Sequence, residues 1–389
     1  MKRILPVIVI SQFLCTSLWF AGNAVLPELA SEMALNDQYL GHLTSAVQIG
    51  FILGTLLFAI LTLADKFPPS RIFFISSLIA SGFNLVLSVE GLSPEFMLFS
   101  RFGTGFFLAG IYPVGMKIAS DYYQKGLGKS LGLLVGALVL GTAFPHFIRS
   151  FTGGLDWQVV VYATSLLAIL GGSLMIILVP DGPFRTKSQS FDFTVFFRVF
   201  QGDRFRQAAF GYFGHMWELY AFWAFVPVFL TAYGNSHQIK FDLSFWSFVI
   251  IAIGGVSCGL GGLISSRVRP LDISKTALSL SGICCLLSPL FFLQPYAWVL
   301  LCFMLFWGMV VTADSPMFST LIAQNVPPHQ KGTALTIVNS LGFAITIFSI
   351  QLLNWSQNLL SPGFLFLPLA LGPAFGIYHI FRHIVLNKN

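Results

Sequence analysis

The chain has 389 residues, 56% of them hydrophobic and 9% charged, with a formal net charge of +6. Soluble domains carry about 25% charged residues. A water-soluble fold of this composition would expose large apolar patches, whereas in lipid the outside of each helix must be as apolar as its inside. The basic balance does not imply a nucleic-acid partner, because the charges lie in short loops rather than on one amphipathic surface.

In chain order, the N-terminus MKRILPVIVISQFLCTSLWF imitates a secretory signal, with a basic start ahead of an apolar run. No small-x-small cleavage site follows cleanly, so it reads as a first span. A spanning helix needs about 20 largely apolar residues. Apolar runs and their breaks predict spans over 5–28, 39–64, 71–89, 95–119, 129–151 and 156–179. A polar stretch, Pro180 to Arg206, follows. The second set is 206–233, 242–264, 275–293, 295–320, 332–354 and 363–382, with only Gln294-Pro295 dividing the ninth from the tenth. The expectation is an all-α membrane protein of twelve transmembrane helices in two pseudo-symmetric six-helix bundles. The domains are 1–180 and 206–389, joined by a cytoplasmic central loop over 181–205.

Orientation follows from the basic residues, which concentrate in cytoplasmic loops. Of the 21 Lys and Arg, only Lys240, Arg149 and Arg101 fall elsewhere than the side that carries both termini. Lys2, Lys125, Lys187 and Lys388 are among those on that side. Both termini are therefore expected in the cytoplasm, in a multi-pass protein of the cell (inner) membrane. Trp157, Trp246, Trp298 and Trp355 fall near the predicted outer boundary, where an aromatic belt would place them. The five cysteines (Cys15, Cys258, Cys284, Cys285, Cys302) all lie in apolar runs without metal-ligand spacing, and read as small buried hydrophobes.

An internal repeat runs at an offset of about 200 residues. Trp19-Phe20 ahead of Pro27 matches Trp217 to Trp223 ahead of Pro227. Asp65-Lys66 after the second span matches Ser266-Arg267 after the eighth. Tyr112-Pro113 with Lys129 matches Ser315-Pro316 with Lys331. Parallel repeats of this kind are a transporter feature, with the binding site between the halves near the midplane.

With these features the sequence resembles the major facilitator superfamily over essentially its whole length. That family's loop between helices 2 and 3 usually reads Gly-x-x-x-Asp-Arg/Lys-x-Gly-x-Arg/Lys. Here it is Leu61-Thr-Leu-Ala-Asp65-Lys66-Phe-Pro68-Pro69-Ser-Arg71, which keeps the acid and the bases and loses both glycines. Arg101-Phe-Gly103-Thr-Gly105 is similar to the family's pattern in helix 4. The drug-antiporter pattern Gly-x-x-x-Gly-Pro is not kept: Gly132-x-x-x-Gly136 is followed by Ala137, and the proline is displaced to Pro145. The arginine pairs of nitrate and sugar-phosphate members are missing as well. The resemblance implies a cavity lined by helices 1, 4, 7 and 10, which here carry Pro27, Pro113, Pro227 and Pro316. It also implies that Asp65, Lys66, Arg71 and Arg267 act as a conformational latch.

An ionisable residue inside a membrane is costly and marks a functional-site hypothesis. Glu218 lies near the middle of helix 7, with His215 three residues earlier on the same face. Either could exchange a proton during transport, or Glu218 could pair with Arg101 or a tyrosine hydroxyl and only fix packing. His-x-x-Glu is half a metal site, but no second pair completes it, so no metal and no cofactor are expected. Arg101 lies about 9 Å into the membrane and needs a partner, which could be an anionic substrate, Glu218 or a backbone carbonyl. Asp314, ahead of Ser315-Pro316, could gate the cytoplasmic side by pairing with Lys117. Trp19, Asn23, Gln48, Tyr112, Tyr212, Trp217, Tyr220, Trp223 and Asn339 are candidates to line the cavity.

The function expected is secondary active transport of a small, partly polar solute by alternating access, coupled to protons, by a monomer in the lipid bilayer. Efflux of amphipathic compounds is the alternative within transport, and a non-transporting membrane sensor the alternative outside it. ATP use and enzymatic chemistry are not expected, because the chain carries neither a Gly-x-x-x-x-Gly-Lys-Ser/Thr loop nor a His-Glu-x-x-His set.

Overall fold

A computed structural model describes residues 3–36, 38–123, 127–185, 194–265, 267–327 and 330–386. Lys2, Lys125, Lys187 and Lys388, counted on the basic side, lie outside these residues, as does Ser266 of the second loop copy.

The first span, α1, is not the continuous helix expected over 5–28. It runs as three pieces, Ile4–Thr16, Ala21–Ala24 and Leu26–Met33. After Thr16 the amides of Leu18 and Trp19 bond back only three residues, to the carbonyls of Cys15 and Thr16. These tight turns end the α-helical ladder. Pro27 has no amide to give and is tolerated in the first turn of the third piece.

The remaining spans are α2 (Tyr39–Ile60), α3 (Pro69–Ser88), α4 (Pro94–Tyr122), α5 (Leu127–Phe151) and α6 (Gln158–Leu178). They continue as α7 (Asp203–His237), α8 (Leu243–Ile264), α9 (Pro270–Phe292), α10 (Ala297–Gln324), α11 (Lys331–Ser356) and α12 (Pro362–Arg382). Ten of them are long and apolar enough to cross a membrane, and the interrupted α1 and the more polar α7 complete the twelve. Breaks beside prolines occur in α4, before Tyr112-Pro113, and in α10, at Asp314. In α7 they do not: Pro227 lies inside one unbroken helix. The central link is not wholly loop either, since it holds a short helix, Thr194–Val199.

Twelve crossings put the start of α1 and the end of α12 on one face, the termini face; the opposite face is the far face. The halves meet along two seams. Where α5 lies antiparallel to α8, a Cβ at Gly136 would stand 2.8 Å from the Gly255 carbonyl oxygen, and one at Gly255 would stand 2.9 Å from that of Gly136. Only glycine at both positions lets the backbones touch. Toward the far face this seam continues through Phe147 on Phe248, with centroids 4.9 Å apart, and the Ser150 hydroxyl donating to Asp242 at 2.6 Å. Along the second seam, between α2 and α11, Gln351 donates to the Ser45 hydroxyl at 2.8 Å and Asn354 to the Gln38 carbonyl at 2.9 Å. All four of these residues lie toward the far face.

Two surface expectations change. Cys302 is exposed on α10, unlike the other four cysteines, which are buried. Trp298 and Trp355 are exposed as belt residues should be, but Trp157 is buried, its indole N–H donating to Glu32 at 2.7 Å.

Candidate functional site

Midway through the bundle the halves touch through aromatic rings. Trp19, at the break in α1, lies 4.8 Å from Phe51 of α2 within its own half. Across the seam it lies 5.6 Å from Tyr220 of α7 and 5.7 Å from Phe343 of α11. Phe51 and Phe343 are 4.5 Å apart, and Tyr220 packs on Trp223 at 5.1 Å. All five side chains are buried. Trp19, Tyr220 and Trp223 come together here; nothing in the sequence marks Phe51 and Phe343, because in an apolar run a phenylalanine facing the seam reads the same as one facing lipid.

Around these rings stand buried polar groups. Gln48 lies on α2 one turn from Phe51 and one turn from Thr44. Thr44 accepts a hydrogen bond from the Asn23 amide at 2.8 Å. Among the described residues, both amide atoms of Gln48 are buried without a hydrogen-bond partner, as are Asn23 Oδ1, Trp19 Nε1, Trp223 Nε1 and the Tyr220 hydroxyl. Buried polar atoms are almost always hydrogen-bonded, so such a group calls for an explanation. Tyr112 and Tyr212 are buried too, the latter against Gly342 of α11. Trp217 turns away from the centre to donate to the Pro368 carbonyl in α12 at 3.3 Å. Asn339 is half-buried on α11.

The charged candidates lie inside the separate halves, each with its own partners. Arg101 of α4 is fully buried. Its Nη2 donates to the carbonyls of Leu18 and Trp19 at 2.9 and 2.6 Å, and its Nη1 to Asn84 of α3 at 2.9 Å. Of the partners considered from sequence, the backbone carbonyl is the one found, and Glu218 is not. Gly22 makes this approach possible, since a Cβ there would stand 3.2 Å from Arg101 Nε. Asn84 in turn donates to Ser165 and Thr164 of α6 at 2.9 and 3.1 Å, tying four helices together.

Glu218 of α7 is equally buried. It accepts from the Trp307 indole of α10 at 2.6 Å and from the Ser281 hydroxyl of α9 at 2.8 Å. It pairs with neither Arg101 nor a tyrosine. One turn toward the termini face, His215 Nδ1 lies 2.8 Å from Asp314 Oδ1, and both side chains are buried. The expected gate between Asp314 and Lys117 is therefore not formed. Lys117 instead pairs with Asp65 at 2.9 Å and with Asp121 at 3.5 Å.

The Lys117–Asp65 pair gives the latch residues their setting. Thr62, with φ of 51°, turns the chain so that Leu63–Lys66 forms a single helical turn that brings Asp65 to Lys117. Asp65 sits in that turn. Arg185, absent from the expected set, donates to the carbonyls of Asp65 and Phe67 at 3.0 and 2.8 Å. Tyr122 donates to the Pro180 carbonyl at 2.5 Å and the Phe184 amide to the Asp121 backbone carbonyl at 3.0 Å, so the segment after α6 is held against the end of α4. Lys66, Arg71 and Arg267 are exposed. The signal that could have found Arg185 is its place just after a helix end and Asp181, with which it pairs.

Among the described residues no group of three or more His, Cys, Asp or Glu could hold a metal ion.

The sequence pattern described as Major Facilitator Superfamily matches residues 8–377. No curated protein sequence matches the chain. Among solved structures, the proton:xylose symporter XylE bound to 6-bromo-6-deoxy-D-glucose superposes with a TM-score of 0.75 at 14% identity, over 97% of this chain and 94% of that one. The human organic anion transporter MFSD10 (TETRAN) gives 0.74 at 15% identity, over 97% and 99%. The nucleoside transporter NupG gives 0.70 at 14% identity, over 98% and 99%. At these identities the likeness is one of fold.

Proposed function

The chain belongs to the major facilitator superfamily, and on that premise we propose that it is a proton-coupled secondary transporter of a small, partly polar solute. It works as a monomer in the cell (inner) membrane with both termini in the cytoplasm. Its halves, 1–180 and 206–389, rock about the α5–α8 and α2–α11 seams, so that the centre opens first to one side and then to the other.

The observation that carries the proton role is Glu218. A carboxyl group fully buried at mid-membrane depth is costly to keep, and its hydrogen-bond donors, Trp307 and Ser281, are neutral. A carboxyl so placed can bind and release a proton as access changes. Its donors come from two other helices of the same half, so a shift of α9 or α10 relative to α7 would alter how well the charged form is held. His215 and Asp314, one turn nearer the termini face, form a second buried polar contact between α7 and α10.

The test is flux in proteoliposomes with and without an imposed pH gradient. Glu218→Gln keeps the shape of the side chain and removes the proton. Gradient-driven flux should fall at least tenfold while solute exchange continues. Driven flux that survives the substitution would rule out this role for Glu218.

A further inference from the structure

We infer that the ligand held between the halves is an uncharged ring compound bearing several hydroxyl or carbonyl groups, of the class that includes cyclic sugars and nucleosides. This rests on the transport reading above and adds the chemistry of the solute.

The central atoms that lack a hydrogen-bond partner among the described residues carry the inference. Trp19 Nε1 and Trp223 Nε1 can only donate; Asn23 Oδ1 and Gln48 Oε1 can only accept; Gln48 Nε2 donates, and the Tyr220 hydroxyl can do either. They come from both halves and surround one aromatic cluster whose centroid spacings run from 4.5 to 5.7 Å. In the state described the rings meet across the seam. Parting of the halves separates Trp19 and Phe51 from Tyr220 and Phe343, and leaves a slot with ring faces on its walls and mixed donors and acceptors around it. A flat or chair-shaped ring with apolar faces and a polar edge satisfies both parts of that surface.

The charges argue against an ionic ligand. Arg101 spends both Nη atoms on α1 carbonyls and Asn84, and its Nε, which has no hydrogen-bond partner among the described residues, is shut in against Gly22. Glu218 points at Ser281 and Trp307. Tyr220 follows it by two residues and so lies about 200° around the helix, on the opposite side. Asp314 and His215 face each other. An ion placed among the rings would be stripped of water and would have to compete with these contacts for a counter-charge, which is unfavourable. A purely apolar ligand would leave the amide, indole and hydroxyl groups unmet, and sites built on buried polar groups discriminate against such compounds.

Ligand-dependent thermal stabilisation of the purified full chain tests the inference. The probes are D-glucose, myo-inositol and uridine, beside the charged counterparts D-glucuronate, D-glucosamine and uridine monophosphate. At least one neutral probe should stabilise saturably, and its charged counterpart should bind at least tenfold more weakly. A response to uridine alone assigns the nucleoside source, and a response to glucose or inositol alone the carbohydrate source. Trp19→Phe, which keeps the ring and removes the N–H, and Gln48→Leu, which keeps the volume, should each weaken binding about tenfold. Both variants should melt, without ligand, within a few degrees of the parent; a variant that does not fold is replaced by Tyr220→Phe, with the same expectation. Tighter binding of a charged counterpart, no saturable response to any neutral probe, or variants that bind like the parent would each overturn the inference. Counterflow of the same compounds in proteoliposomes separates the two readings. Binding without counterflow defeats transport and leaves the ligand class standing. Counterflow of a charged solute that is unaffected by Trp19→Phe keeps transport and overturns the ligand class.

Discussion

His215 and Asp314 face each other between α7 and α10, with Nδ1 2.8 Å from Oδ1 and almost no solvent reaching either side chain. Asp314 stands where α10 breaks, immediately before Ser315-Pro316, so the contact fixes the position of the break against α7. The contact offsets part of the cost of burying both residues, while Asp314 Oδ2 and His215 Nε2 have no hydrogen-bond partner among the described residues. His215→Ala or Asp314→Asn should lower stability by about 1–3 kcal/mol, because one polar group is left behind. The double variant should cost less than the sum, with a coupling of about 1 kcal/mol or more. Chemical unfolding of the four proteins in detergent measures it, and strict additivity would show that the contact contributes nothing.

Arg101 holds three acceptors with two nitrogens of one planar group. A lysine ammonium is a point charge on a flexible stem and cannot span that set. Arg101→Lys should therefore be destabilising despite keeping the charge, by about 2 kcal/mol, and Arg101→Ala by about 3 kcal/mol or more. Thermal melting of both variants checks the order. A lysine variant as stable as the parent would mean that charge, rather than geometry, is what α1 requires.

The Asp65–Lys117 pair is partly solvated, and such pairs contribute about 0.2–1 kcal/mol. Asp65→Asn should shift the balance between the two access states by no more than about fivefold, and added salt should reduce even that. Cysteine accessibility from the termini face, measured across a salt series, reads the shift. A change of a hundredfold would show that the Arg185 and Tyr122 contacts fail along with the ion pair.

Ser150 and Asp242 join α5 to α8 at the far face. Replacing both by cysteine and bridging them with a short bifunctional maleimide should halt flux while ligand binding from the termini face persists. Flux that continues through the bridge would show that this end of the seam does not part during transport.

How far the sequence could be read varied with the physics of each feature. Span positions were legible because about 20 apolar residues in a row have few alternatives; α2 starts at the expected residue and α8 one residue away. That Arg101 must have a partner was legible too, since a permanent charge in lipid cannot stand alone. Its partners were not. The Leu18 and Trp19 carbonyls become available only because α1 breaks at 17–20, where the sequence has neither proline nor glycine. Trp307 was hidden for a different reason: inside the apolar run of α10 it is one more aromatic, and nothing along the chain tells an indole that meets a carboxylate from one that meets lipid. Asp314 and Lys117 have matching depths, but depth alone does not say which way round a helix a side chain points.

Arg101 and Glu218 also differ in when their partners are made. Leu18, Trp19 and Asn84 all precede Arg101 in the chain, so a ribosome delivers α1 and α3 to the bilayer before the arginine arrives. Ser281 and Trp307 both follow Glu218, and α7 must enter the membrane with its carboxyl group unaccompanied until α9 and α10 are synthesised. A charged residue at a helix centre costs about 2.5–3.5 kcal/mol to insert. The first half can thus close around its charge as it emerges, while the second passes through a stage in which it depends on something else. Chains truncated after α8 should be the ones that quality-control proteases find first.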